Sequence, residues 1–327
     1  MSQKIFLLVI SIIMFFGCNN EIDLNEEFKE IPVVYGILNA KDTAQYIRIE
    51  RVFNAAGESA LDLARNADSL YYKNITVILK DSLAGKEFVL DRVDGNTDKR
   101  VRENGIFATA PNYLYKIKTN KIGIKPGRKY ILSIFDKNQA LLTKGAVTIV
   151  DDMSIYLPAS NEKPIKLAYF SYVNVNWEGG NNAGYYDVLI SFNIKEKDNS
   201  GSGTWTDKVY TWKAGTFISE QKLRLTGEDF YKFLGSAIET KENVKRRFTG
   251  FDITVRGIGK ELKDFIDILH FDSGITSSQQ IPTYTNLSYG YGVLSSQNSV
   301  ISKGFLLDEV ARDSLFKGVY TKRLNFE

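Results

Sequence analysis

The chain has 327 residues, with 42 Lys and Arg against 39 Asp and Glu, a formal net charge of +3, and 43% hydrophobic residues. This near balance of charge, with no long basic stripe, excludes the electrostatic footprint of a nucleic-acid-binding domain. One cysteine, Cys18, and one histidine, His270, exclude an internal disulfide framework and a metal centre built on several His and Cys ligands.

The amino terminus reads MSQK, with one base and no acid, followed by the nearly unbroken apolar run IFLLVISIIMFF. That is the pattern of a secretory signal, and it is shorter than the ~20 apolar residues a spanning helix needs. Gly17 and Cys18 close the run and resemble a bacterial lipobox. Phe15 and Phe16 stand where an aliphatic and a small residue are usual. The expectation is a signal peptide over 1–17, acylation at Cys18, and anchoring in the outer membrane on its cell-surface or periplasmic face. Multiple acyl chains hold a protein on a membrane without a spanning helix. Residues 18–30 follow with Glu21, Asp23, Glu26, Glu27 and Glu30 against Lys29. So acidic a segment buries too little apolar surface to order itself, and it reads as a tether.

The folded part opens with PVVYGIL, then the turn NAKDT, then AQYIRIERVF. In the last, Tyr46, Arg48 and Glu50 alternate with Ile47 and Ile49, so a hairpin with one buried face is expected. SALDLARNADSLYY has helical spacing, with Ser59 placed to cap it. KNITVILKDS and KEFVLDRVDG form a second hairpin across LAG. YLYKIK, the proline-glycine turn into KYILSIFD, and GAVTIV complete a series of short strands. Such strands, broken by turns every 8–12 residues, predict an immunoglobulin-like β-sandwich over 31–152. Prolines and polar residues near 151–165 mark a boundary. Residues 153–327 are then expected to form a second β-rich domain with a few helices. Its strands lie around Val173, Val175 and Trp177, from Val188 to Ile194, and along TDKVYTWKA and FTGFDITVRGIG. Helices are expected after Thr226, with Asp229 completing a capping box, along GKELKDFIDILHFD, and along DEVARDSLFKGVY. The whole is mainly β.

Chemistry is scarcer. No phosphate loop, nucleophile elbow or calcium-loop spacing is present, and no catalytic set or cofactor site can be assembled, so a non-enzymatic protein is expected. The most unusual stretch is IPTYTNLSYGYGVLSSQNS, residues 281–299, which carries three tyrosines and no charge. Tyr284, Asn286, Tyr289 and Tyr291 have the chemistry of a recognition loop, rigid rings beside adaptable hydrogen-bonding groups. The same loop can equally cross back over the core, with Gly290 and Gly292 making its tight turns. Trp205 and Trp212 form a second aromatic group with Tyr210, suited either to a glycan platform or to core packing.

Taken together, Cys18, PVVYGILNAKDTAQYIRIERVF, YILSIFD and PTYTNLSYGYGVLSS resemble a family of Bacteroidota envelope lipoproteins of unknown function. Thr285, Asn286, Gly290 and Gly292 carry the most specific part of the likeness. The resemblance implies a binding or assembly module, encoded beside and accessory to a TonB-dependent receptor. A surface glycan-binding protein or adhesin is the alternative. Its partners would be the membrane, through the lipid, and either such a receptor or a glycan.

Overall fold

The computed structural model describes residues 31–52, 59–198, 203–271 and 284–327, without the side chains of 270 and 271. The signal segment, Cys18, the tether and the side chain of His270 lie outside the described residues.

The described chain is mainly β. β1 (Pro32–Asn39) and β2 (Ala44–Arg51) form the expected antiparallel hairpin. In β2, Ile47 and Ile49 are buried while Tyr46, Arg48 and Glu50 face outward, so the sequence alternation maps onto two faces. Two short helices follow, α1 (Ala60–Arg65) and α2 (Ala67–Leu70). Ser59 occupies the first N-cap position, but its side chain makes no capping hydrogen bond.

β3 (Thr76–Asp81) pairs with β4 (Glu87–Val89) as anticipated. KEFVLDRVDG, however, is not one strand. The chain leaves the sheet at buried Leu90, and β5 (Asp91–Asp94) pairs with β6 (Tyr113–Lys118) in the opposite sheet. A helical turn, α3 (Thr119–Ile122), then leads to β7 (Lys129–Phe135) and β8 (Leu141–Thr148).

The strand orders are β1-β2-β6-β5 and β4-β3-β7-β8. In immunoglobulin lettering these are A-B-E-D against C′-C-F-G, so the topology itself identifies the sandwich. Between the sheets lies a core containing Val34, Ile47, Leu79, Ile117, Leu132 and Val147. Each such aliphatic side chain, fully buried, contributes roughly 1.5–3 kcal/mol. A tyrosine corner closes the sandwich at the E–F turn. Tyr130, at the start of β7, is fully buried, and its Oη accepts from Lys125 N at 3.0 Å and donates to Gly123 O at 3.3 Å.

The second half begins with β9 (Ser154–Leu157) and β10 (Tyr172–Glu178). β11 (Ala183–Asp198) and β12 (Thr206–Phe217) come next, then β13 (Lys222–Thr226) and helix α4 (Gly227–Ala237). Thr226 caps α4 by accepting from Asp229 N at 3.2 Å. β14 (Val244–Gly259) runs directly into helix α5 (Lys260–Phe271), and β15 (Tyr291–Phe305) and helix α6 (Glu309–Lys317) follow. β10 pairs with β13 and β9 rather than with β11, so the turn at EGGNNAG changes sheets.

A second core surrounds Trp177, Phe192, Phe230, Leu234, Phe251 and Phe305. The first core draws its buried residues from 34–149 and the second from 165–324, except that Leu287 and Leu294 join the first. The sheets do not divide this way. β15 lies between β14 and β1 and pairs with β1 in parallel, giving one eight-stranded sheet, β12-β11-β14-β15-β1-β2-β6-β5, that spans both halves. Residues 31–327 therefore form one compact unit.

Candidate functional site

The loop 284–290 and the start of β15 were the leading sequence candidates, and their polar groups are largely occupied by the fold. Asn286 acts as a backbone surrogate. Its Nδ2 donates to Leu294 O at 2.7 Å and to Ala146 O at 3.1 Å, while its Oδ1 accepts from Leu294 N at 3.0 Å. β14 pairs with β15 only from Gln297 onward, so Asn286 satisfies the strand edge that β14 leaves open. Gly290 and Gly292 have φ of 101° and 99°. A Cβ there would lie 2.2 Å from Pro32 O and 2.0 Å from Val34 O. These glycines permit the close parallel approach of β15 to β1. Tyr284 is half-buried, and burial first, then Asp264 and Glu261, push its hydroxyl above the usual range. The rings of Tyr289 and Tyr291 keep 37% and 43% of their surface exposed.

The tryptophans do not join this loop. Trp212 stacks on Phe233 of α4 at 5.6 Å, and Phe233 stacks on Phe192 at 5.4 Å, so Trp212 belongs to the second core. Trp205 lies under the Arg247 guanidinium, 4.4 Å from its ring centroid. Arg247 stands near the β14 end that meets Phe305, whereas Tyr291 is at the other end of β15. At ~3.3 Å per residue these groups are roughly 45 Å apart, so the tyrosines and tryptophans form no common platform.

Among the described residues, a depression lies elsewhere, on the outward face of β1, β2 and β6. A cleft of 940 Å³ is lined by Asp42, Thr43, Ala44, Tyr46, Asp98, Lys99, Arg100, Lys116, Lys118, Thr119 and Asn120. A groove of 360 Å³ continues from it past Tyr35, Ile37, Arg48 and Gln297, and the two share Asp42, Ala44, Tyr46 and Arg100. Phe265 of α5 meets Tyr35, which lines the groove, edge-on at 6.1 Å.

The cleft's residues come from three separate segments. The β5–β6 excursion brings in Asp98, Lys99 and Arg100. Buried Asn112 fixes it by donating to Arg100 O at 2.7 Å, and Gly95 N donates to Asn112 O at 2.7 Å. Lys99 holds a left-handed φ of 58° at the tip. Tyr46 Oη and Lys116 Nζ both donate to Asp98 Oδ2, at 2.8 and 2.5 Å. Those bonds, that of Lys116 foremost, hold the Asp98 carboxyl below the usual range, and Asp98 in turn raises Lys116. The Arg100 guanidinium lies 4.9 Å from the Tyr46 ring centroid. Asp98 is thus neutralised locally. Lys99, Arg100 and Lys118 form no ion pair among the described residues. The cleft presents net positive charge beside hydroxyl and amide groups. Deeper along the face, Glu50 joins Arg48 at 3.1 Å and Arg102 at 2.7 Å.

The outward direction of Tyr46 and Arg48 was readable from the alternation of β2. The contribution of Lys99, Arg100 and Lys116 was not, because only the sandwich topology carries the β5–β6 excursion onto that face. Among the described residues no three His, Cys, Asp or Glu side chains are grouped to hold a metal ion, and no helix is long and apolar enough to cross a membrane.

Among solved structures, the crystal structure of chicken CNTN1 FN1-FN3 domains is similar over 69% of this chain, at 10% identity and a TM-score of 0.18. The matched region spans 59% of that chain's length, and the immunoglobulin-like assignment rests on strand order rather than on this likeness. No curated protein matches the sequence. A family model does match residues 19–301, and the chain belongs to the family it describes, Domain of unknown function (DUF4249).

Proposed function

We propose that this protein is a non-enzymatic binding module, anchored through acylated Cys18 in the outer membrane of a Bacteroidota cell. It presents the outward face of its first sandwich to an envelope partner or ligand. The observation that carries the proposal is the continuous cleft and groove, in which Lys99 and Lys118 have no ion-pair partner among the described residues. Lys99, Arg100 and Lys118 are exposed, and a cluster of cations gathered by the fold beside an open depression has the form of a recognition surface. The signal-like amino terminus supports the anchor. The resemblance to lipoproteins encoded beside TonB-dependent receptors supports such a receptor as the partner.

A photo-crosslinking residue at Ile37, which lines the groove and is 42% exposed, tests this in intact cells labelled with a palmitate analogue. Lipid labelling that disappears in Cys18→Ala, with a discrete adduct at Ile37, is expected. Absence of labelling removes the anchor, and absence of any adduct removes the binding role of this face. A glycan-binding or adhesin role is favoured by the exposed Tyr289 and Tyr291. It predicts loss of glycan retention in Tyr291→Ala at unchanged melting temperature.

A further inference from the structure

We infer that the 940 Å³ cleft binds a carboxylate-bearing oligosaccharide. This rests on the proposal that the outward face is a binding surface, and it names the ligand class.

Four features of the lining select that class. The first is size: the cleft is far larger than an inorganic anion needs, since a water molecule occupies ≈ 30 Å³ in the liquid, and it lies within the range of small-molecule sites. The second is charge. Lys99 and Lys118 are exposed and have no ion-pair partner among the described residues, and exposed Arg100 lies near Asp98 without an ion-pair contact to it, whereas Asp98 is committed to Lys116 and Tyr46. An incoming carboxylate would therefore meet cations and no competing unpaired acid except Asp42, whose Oδ1 already accepts from Asn39 Nδ2 at 3.1 Å.

The third is the neutral donor set. Thr43, Thr119 and Asn120 line the same cleft as the cations. Thr119 Oγ1 accepts from Gln45 Nε2 at 2.7 Å, which leaves its own proton to donate. Hydroxyl and amide groups beside cations suit a chain that carries both hydroxyls and carboxylates. The fourth is that the cleft itself, unlike the adjoining groove with Tyr35 and Ile37, is lined by no aliphatic side chain larger than Ala44. Ala44 is buried and Tyr46 offers only a ring flanked by Arg100 and Lys116. Peptide partners depend on aromatic or aliphatic anchors filling apolar pockets, and single-stranded nucleic acids depend on stacking platforms.

The test is calorimetric titration of the full-length protein in detergent with tetragalacturonate, an uncharged galactose tetrasaccharide, and hexaglutamate. Tetragalacturonate is expected to bind, more weakly as salt rises, and the neutral sugar is not. The double variant Lys99→Glu and Lys118→Glu, at two exposed positions, should keep its melting temperature and bind tetragalacturonate at least about tenfold more weakly. No binding of tetragalacturonate, or binding unchanged in the double variant, overturns the inference. Hexaglutamate binding as tightly as the uronate also overturns it and assigns the cleft to acidic peptides. If the Ile37 adduct persists while tetragalacturonate fails to bind, the ligand class falls and the binding role stands. If the adduct is lost as well, both fall.

Discussion

Replacing Asn286 by alanine isolates the most specific element of the family-like stretch and asks whether it is structural. The side chain makes three hydrogen bonds to main-chain groups, two with Leu294 and one with Ala146, at 2.7–3.1 Å. Leu294 is fully buried, and no neighbouring strand can take over, because β14 begins pairing only at Gln297. Each orphaned buried group costs ≈ 1–3 kcal/mol, and partial access of water at the half-buried Asn286 places the sum near ~3 kcal/mol. For a unit of this size that lowers the melting temperature by roughly 5 °C. Differential scanning fluorimetry of the purified variant reads it directly. Asn286→Asp is the sharper control. Its carboxylate can still accept from Leu294 N, but it cannot donate to Leu294 O or Ala146 O. It should be at least as destabilised as the alanine variant at neutral pH. If Asn286→Ala melts within about 2 °C of the parent, or Asn286→Asp melts with it, the backbone-surrogate role is wrong and a recognition role for Asn286 returns.

Three other outcomes follow from the same structure. Gly292→Ala forces a Cβ to within 2.0 Å of Val34 O at a φ of 99°. It should cost at least ~3 kcal/mol and be read as loss of soluble folded protein by circular dichroism, whereas a normal melt would show that β15 can shift. Tyr130→Phe leaves Lys125 N without its acceptor and removes the tyrosine corner. A loss of about 1–3 kcal/mol in urea unfolding is expected, and no loss would mean that water replaces the hydroxyl. Burial raises the Glu261 carboxyl above its ordinary value, with the hydrogen bond from Ser295 Oγ opposing this. A raised folded-state value means that Glu261 adds stability below the ordinary glutamate range, and that this is lost as pH rises through the raised value. Glu261→Gln, which keeps an acceptor for Ser295, should therefore raise the melting temperature at pH 7 and leave it unchanged near pH 4. An unchanged difference between the two pH values would refute that sign.

Much of the secondary structure follows from local pattern. Alternation in AQYIRIERVF fixes which side of β2 is buried, and Thr226 with Asp229 fixes the start of α4, because both depend on neighbours within four residues. Other assignments fail locally. KEFVLDRVDG has the composition of one strand, yet Leu90 turns into the core and sends its two halves to opposite sheets. By local pattern alone, KENVKRRF is a basic cluster after a helix whose charges complement the helix C-terminus. In the structure Arg246 is buried on β14, bonded to Glu196 at 2.7 Å and to the carbonyls of Leu324 and Glu239. Its partners are too far away along the chain for any local pattern to reveal.

The same division holds for the candidate site. The sequence by itself determined the signal-like start, the mainly β character, the hairpin that bears Tyr46, and the glycines required near Tyr291. Short-range periodicity and glycine's conformational freedom act within a few residues. Only the tertiary structure decided that β15 would pair in parallel with β1 and fuse two β-rich halves through one sheet. It also decided that Trp212 would be spent on the second core. It alone gathered Lys99, Arg100, Lys116 and Lys118 around Tyr46, because that gathering depends on pairing between strands far apart in the chain.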